Sequence, residues 1–248
     1  MSRPTLRQWL AEAPFGLALS SGFFGFFAHT GFVQVLEREG LAPSAVSGSS
    51  AGALVGGLWA AGARVSDLAP VLLGLRREDF WDARPGLGLL AGRRFRRLLR
   101  ELSPVRRIEE APTTLRVSTF DVLARTAIVH ATGDFADVVR ASCAVPLMFH
   151  PVALEGRPHL DGGIADRPGI LGVAAMPRVL HHHLPSRSPW RFRVPGARGA
   201  GVAIVSIAGL PRVDPFRLER GRLALEAARD GFSRALDAPL VLADAVAR

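Results

Sequence analysis

The sequence predicts an α/β fold: a three-layer α/β/α sandwich around a central, mostly parallel sheet. Three observations carry this expectation. Residues 15–20 (FGLALS) and 45–47 are short apolar runs of the kind that become buried strands. Between them, residues 26–40 repeat apolar side chains at helical spacing through Phe27, Phe32, Val35 and Leu36, and stop at Gly40, which suits the position just past a helix end. The second run breaks at Gly48-Ser49-Ser50-Ala51-Gly52, and a helix-forming run follows it as far as residue 62. Strand, loop, helix, strand, turn and helix in this order form an α/β unit with parallel strands.

The remaining elements follow in order. Residues 1–14 read as an amphipathic lead-in around Leu6, Trp9 and Leu10. Residues 64–112 look mostly helical and basic. Within them, residues 93–107 (RRFRRLLRELSPVRR) put Phe95, Leu98, Leu99 and Leu102 on one stripe, with Arg93, Arg94, Arg96, Arg97 and Arg100 around it. Such a helix either packs on the core with a solvated face or lies on an anionic membrane surface. Residues 115–120 and 126–131 read as two strands around a turn at 121–125. Asp134 can cap a helix over 135–143, which stops before Pro146. Residues 151–154 and 159–160 form a hairpin through Glu155-Gly156-Arg157 and run into Asp161-Gly162-Gly163. A Pro/Gly/Arg-rich connection is expected over 185–201, a strand over 202–207 and a helical tail over 218–247. There is no internal repeat and no linker, so one domain is expected over residues 1–248.

Composition narrows the function. Of 248 residues, 48% are hydrophobic and 21% charged, which is globular and not disordered. Cys143 is the sole cysteine, so no intrachain disulfide exists. The start lacks a sustained apolar segment, and residues 51–63 are too short and glycine-rich to cross a bilayer. The expectation is a cytoplasmic protein, with peripheral membrane contact left open. The net charge of +9 points to an anionic partner. Every cation is Arg, and Lys, Asn and Tyr are absent; this is also what a GC-rich coding sequence gives, so the charge carries less weight. No aromatic stacking pattern accompanies the arginines, which argues against nucleic acid. Phenylalanine runs against the bias: Phe15, Phe23, Phe24, Phe26, Phe27 and Phe32 account for 6 of the 14.

G-x-S-x-G is the chemical motif. A nucleophilic serine needs a tight strand-to-helix turn that lifts its Oγ clear of the sheet, and Gly48 and Gly52 remove the side chains that would collide there. The helix that starts at Ser50 aims its positive end at developing negative charge. The plain alternative is a glycine-rich turn in which Ser50 caps the helix.

Three features now stand in order: a strand running into residues 20–31 (SSGFFGFFAHTG), the turn SGSSAG, and DGG at 161–163 after ASCAVPLMF. This order resembles the patatin-like phospholipases, serine lipid acyl hydrolases with a Ser-Asp dyad, over residues 15–170. The resemblance implies that Ser50 is the nucleophile and Asp161 the base, and that the loop Ser21-Gly22-Phe23 supplies the oxyanion hole. It implies a lipid acyl ester as substrate and neither a metal nor an organic cofactor. The chemistry is consistent: Ser50 needs a proton acceptor, and partial burial raises an Asp pKa toward a useful value. Gly162 and Gly163 let the backbone bring Asp161 close. The loop departs from the family pattern G-G-G-x-R-G, since only Gly22 sits on a family glycine and Gly25 replaces the arginine. A positive φ at Phe23 would be costly there. Phe23 and Phe24 either wall an acyl site or pack the first helix, whereas Phe27 reads as packing.

Other readings rank lower. His181, His182 and His183 follow Asp161 in the order of an α/β-hydrolase triad, but too few strands precede the turn and no HGGG-type loop is present. The same triplet lacks metal-ligand spacing and is expected in an exposed loop. His29 reads as supporting the first helix or the loop. A lipid- or acyl-binding protein without catalysis, or a small-ester carboxylesterase, are the alternatives on the same fold. Dinucleotide binding fails for want of G-x-G-x-x-G.

Overall fold

The computed structural model describes residues 3–185 and 201–242. Helix α1 (Leu6–Glu12) precedes strand β1 (Gly16–Leu19), helix α2 (Phe26–Arg38), strand β2 (Ala45–Ser49) and helix α3 (Ala51–Ala60). Helices α4 (Val65–Gly74) and α5 (Arg77–Phe80), strand β3 (Gly88–Leu90) and helix α6 (Arg93–Leu102) follow. Strands β4 (Thr114–Asp121) and β5 (Thr126–His130) lead to helix α7 (Phe135–Ser142) and strand β6 (Leu147–Phe149). The chain then forms β7 (Val152–Leu154), β8 (Arg157–Asp161), β9 (Val179–His182), β10 (Val202–Val205) and helix α8 (Gly221–Asp237).

The main sheet runs β10-β9-β1-β2-β4-β8-β7, with β5 also on β4. Its first five strands are parallel, and β8, β7 and β5 join antiparallel. Alternation along each strand sorts the two faces. Leu17, Leu19, Val46, Leu180 and Ala203 enter the large core beneath the helices, with Phe32, Leu58, Phe135 and Phe232. Ala18, Ala45, Val179 and Val202 face the other way, onto Ile170, Val173 and Met176. Among the described residues, a turn-rich segment over 162–178, with a short 3-10 helix at its start and no α-helix, covers that second face.

Several boundaries differ from the sequence reading. The arginine-rich helix ends at Leu102, short of 107, because its apolar stripe stops there and Pro104 cannot continue it. The tail is helical from Gly221 to Asp237; residues 238–242 leave the helix, and 243–247 lie outside the described residues. The expected connection over 185–201 falls almost wholly outside them as well. The histidine triplet requires a correction: His181 and His182 belong to β9 and are buried, not exposed in a loop. Burial holds the His181 imidazole down at about 3 and pushes His182 well below the usual imidazole range, so both behave as neutral core residues.

Candidate active site

Ser50 sits between β2 and α3 with φ 53° and ψ −121°, a conformation that costs a non-glycine residue energy. It occupies the N-cap position, yet its side chain makes no capping hydrogen bond. The hydroxyl instead donates to Asp161 Oδ2 at 2.7 Å, which discriminates against the plain capping reading. The turn is possible because its glycines are sterically obligatory. A Cβ at Gly52 would lie 2.1 Å from the Leu19 carbonyl oxygen, and one at Gly48 would lie 2.6 Å from the Gly52 backbone.

Residues far along the chain fasten this corner. The Ser50 N–H donates to Ser142 Oγ at 2.9 Å, and Ser142 donates onward to the Ser118 carbonyl at 2.7 Å. Cys143 Sγ lies 3.3 Å from the Ser50 carbonyl oxygen, and burial pushes its thiol pKa well up. Sequence reasoning missed Ser142 and Cys143. Their signal lay in the ASCAVPLMF segment, which served only as a landmark before DGG.

Asp161 ends β8. Its N–H donates to the Ala144 carbonyl at 2.9 Å, and its Oδ1 accepts the Gly163 N–H at 2.8 Å. A Cβ at Gly162 would lie 2.1 Å from the Ser118 carbonyl oxygen, and one at Gly163 would lie 2.5 Å from Ser21 Oγ. Both glycines are therefore close-approach residues between the acid, β4 and the first loop. Asp161 is 6% exposed, and this burial raises its carboxyl to about 6; the bonds from Ser50 and Gly163 pull in the opposite direction. At neutral pH it is ionised, yet far more basic than a solvated aspartate.

The loop after β1 lies beside this pair. The Ser21 N–H is already spent on the Arg167 carbonyl at 2.8 Å, so Ser21 offers no free amide. The Gly22 and Phe23 amides have no protein acceptor among the described residues. The Ala51 N–H, at the first turn of α3, likewise lacks an intrahelical partner. The positive φ expected to be awkward at Phe23 falls instead on Phe24, at 53°.

An apolar cavity of about 100 Å³ opens at Ser50, with Phe24, Phe80, Leu98, Leu102 and Phe149 among its walls. The arginine-rich helix thus turns its apolar stripe toward the nucleophile. Phe24 lines the cavity as the acyl-wall reading expects, Phe23 is 54% exposed at its rim, and Phe27 is packed in the core. Among the described residues, no group of three or more His, Cys, Asp or Glu is arranged to hold a metal.

The patatin-like phospholipase family profile matches residues 17–173. An uncharacterized NTE family protein of Mycobacterium tuberculosis is 31% identical over 154 residues, covering 60% of this chain and 42% of that protein. The Lysophospholipase NTE1 of Scheffersomyces stipitis is 28% identical over 168 residues, covering 65% of this chain and 11% of that protein. The chain therefore matches less than half the length of these relatives. VipD from Legionella pneumophila shares the fold at 16% identity, TM-score 0.56, covering 92% of this chain and 67% of VipD. The type III effector ExoU does so at 16% identity, TM-score 0.51, covering 95% of this chain and 53% of ExoU.

Proposed function

The chain belongs to the patatin-like phospholipase family, and on that premise we propose that it hydrolyses acyl esters of lipids through Ser50 and Asp161. The observation that carries the reading is the 2.7 Å hydrogen bond from Ser50 Oγ to Asp161 Oδ2 at the mouth of an apolar cavity. Ser50 Oγ attacks the ester carbonyl carbon while Asp161 takes its proton. The negative oxygen of the tetrahedral intermediate is held by the amides of Gly22 and Phe23, with Ala51 as a third donor. Collapse breaks the ester C–O bond, and Asp161 returns the proton to the departing alcohol. Asp161 then deprotonates a water that attacks the acyl-enzyme; the fatty acid leaves and Ser50 regains its proton. One domain carries all of these groups.

The acyl chain lies along Phe24, Leu98, Leu102 and Phe149. The outer face of α6, with Arg93 and Arg97, and the segment just past it, with Arg106, face an anionic membrane: among the described residues these three are exposed without carboxylate partners, whereas Arg96 and Arg100 are paired with Asp137 and Asp134. The contact proposed is a peripheral one, made by an amphipathic helix; no helix among the described residues is long and apolar enough to cross a membrane. The test compares phospholipid with p-nitrophenyl esters of graded length, together with fluorophosphonate labelling, in the wild type and Ser50→Ala. Turnover and labelling are expected in the wild type and neither in Ser50→Ala; labelling that survives in the variant refutes the assignment.

A further inference from the structure

The oxyanion loop is held from below by two histidines outside the reacting groups. His29 in α2 and His182 in β9 are each fully buried. His29 Nε2 lies 2.8 Å from the Ser20 carbonyl oxygen, and His29 Nδ1 lies 2.9 Å from His182 Nδ1. A carbonyl only accepts, so His29 must carry its proton on Nε2. Its Nδ1 is then a bare acceptor, which requires the proton of His182 on Nδ1. Each ring is therefore confined to one tautomer, and the chain of donors runs from His182 through His29 to Ser20. His182 Nε2 is left buried without a partner among the described residues. A leucine would fill the same space without that orphan; what the imidazole adds is the Nδ1–H.

Ser20 is the last residue before the loop, and β9 together with the residues just past it grips it in two further places. Its N–H donates to the His182 carbonyl at 3.3 Å, and its Oγ accepts the Leu184 N–H at 2.8 Å. The Leu184 side chain is wedged beneath the loop, so that a Cβ at Gly22 would approach its Cδ1 to 2.8 Å and one at Gly25 to 2.3 Å. The His182 ring lies flat on Phe32, centroids 4.1 Å apart, and Phe32 stacks on Phe232 of α8. This stack fixes where the Nδ1–H points.

We infer that His29 and His182 are positioning residues: a tautomer-locked pair that clamps Ser20 and so sets the Gly22 and Phe23 amides where an oxyanion will form. The inference rests on the hydrolase reading for its catalytic consequence, and on geometry alone for the clamp. Amides that are a fraction of an ångström out of place stabilise a transition state poorly while still admitting the ground-state ester. Loss of the clamp therefore lowers kcat and spares KM.

The test uses the full chain with three readouts: thermal unfolding, kcat and KM on a p-nitrophenyl ester, and amide hydrogen exchange in peptides covering residues 20–25. His182→Phe keeps the stack on Phe32 and deletes the donor. It is expected to lower kcat about tenfold with KM within about twofold, and to speed exchange over 20–25. His182→Asn restores an N–H near the Nδ1 position and recovers most of both. If His182→Phe does not fold, His29→Gln and His29→Asn ask the same question, since Gln can place an N–H near Nε2 and Asn is too short. Unchanged exchange and kcat in His182→Phe, equal behaviour of His182→Phe and His182→Asn, or Asn performing as well as Gln at position 29 would each overturn the clamp. A wild type without turnover would refute the hydrolase reading instead, and exchange would still decide the clamp.

Discussion

Replacing Asp161 by Asn separates the cost of the buried acid from its use. Asn keeps an oxygen for the Gly163 N–H and puts an amide where Oδ2 meets Ser50, so the corner retains its hydrogen bonds. What disappears is the ionisable group. The folded protein holds this carboxyl near 6 instead of 3.8, so between those values it binds more protons than the unfolded chain, and stability falls as pH rises through the window. The cost is absent well below pH 4 and complete above pH 6, where the difference amounts to about 3 kcal/mol as an upper bound. Asp161→Asn is therefore expected to be far less active yet more stable, by up to about 10 °C in Tm at pH 8 and hardly at all at pH 3.5. The loss of activity should be on the order of 10²- to 10⁴-fold, the usual value of a positioned base. Wild-type kcat/KM should rise with pH toward a plateau above about 6. Thermal melts at pH 3.5 and 8 with an ester assay across that range provide the check. A variant no more stable than the wild type at pH 8, or a difference that does not change with pH, would refute the reasoning.

Gly52→Ala should destabilise by more than about 3 kcal/mol or prevent folding, because its Cβ would meet the Leu19 carbonyl oxygen at 2.1 Å. Gly74→Ala, with nothing within 4 Å, should be neutral or up to about 1 kcal/mol more stable; paired denaturant curves compare the two. At Phe24, where φ is 53°, Gly should be more stable than Ala by about 1 kcal/mol, since both lose the ring and only Gly relieves the backbone. Equal midpoints for those two variants would contradict this. Leu98→Ala should move the ester chain-length optimum upward by opening the cavity wall, measured as kcat/KM along a p-nitrophenyl series.

The parts of the site legible in the sequence were those imposed by local crowding. Gly48, Gly52, Gly162 and Gly163 each stand where a backbone or a neighbouring side chain leaves no room for Cβ, and such demands leave a mark on composition at fixed spacing. The parts that were not legible depend on partners distant in sequence. Ser142 reaches the Ser50 amide from 92 positions away, and no pattern near either residue announces the bond. The triplet at 181–183 misled because histidine beside Pro and Arg reads as solvated, whereas hydrogen bonding and stacking made His182 an interior residue. Similarly, the stripe on α6 was visible as amphipathicity, but a hydrophobic face does not say which cavity it will roof.

The loop shows why a run of glycines is dispensable here. Glycine is needed only where space or φ demands it, and the demand for space falls at Gly22 and Gly25, both against Leu184. Phe23 meets neither limit, and Phe24 only that of φ. The one unfavourable φ, at Phe24, is offset by ring contacts with Phe23 at 4.9 Å, Phe26 at 5.7 Å and Phe80 at 5.9 Å. Side chains that a glycine run would omit become the wall of the cavity, while the Gly22 and Phe23 amides, which have no protein acceptor among the described residues, are backbone groups and do not depend on residue type. The loop thus gains an apolar surface without spending a donor, and the requirement for rigidity passes from the loop itself to the β9 segment beneath it.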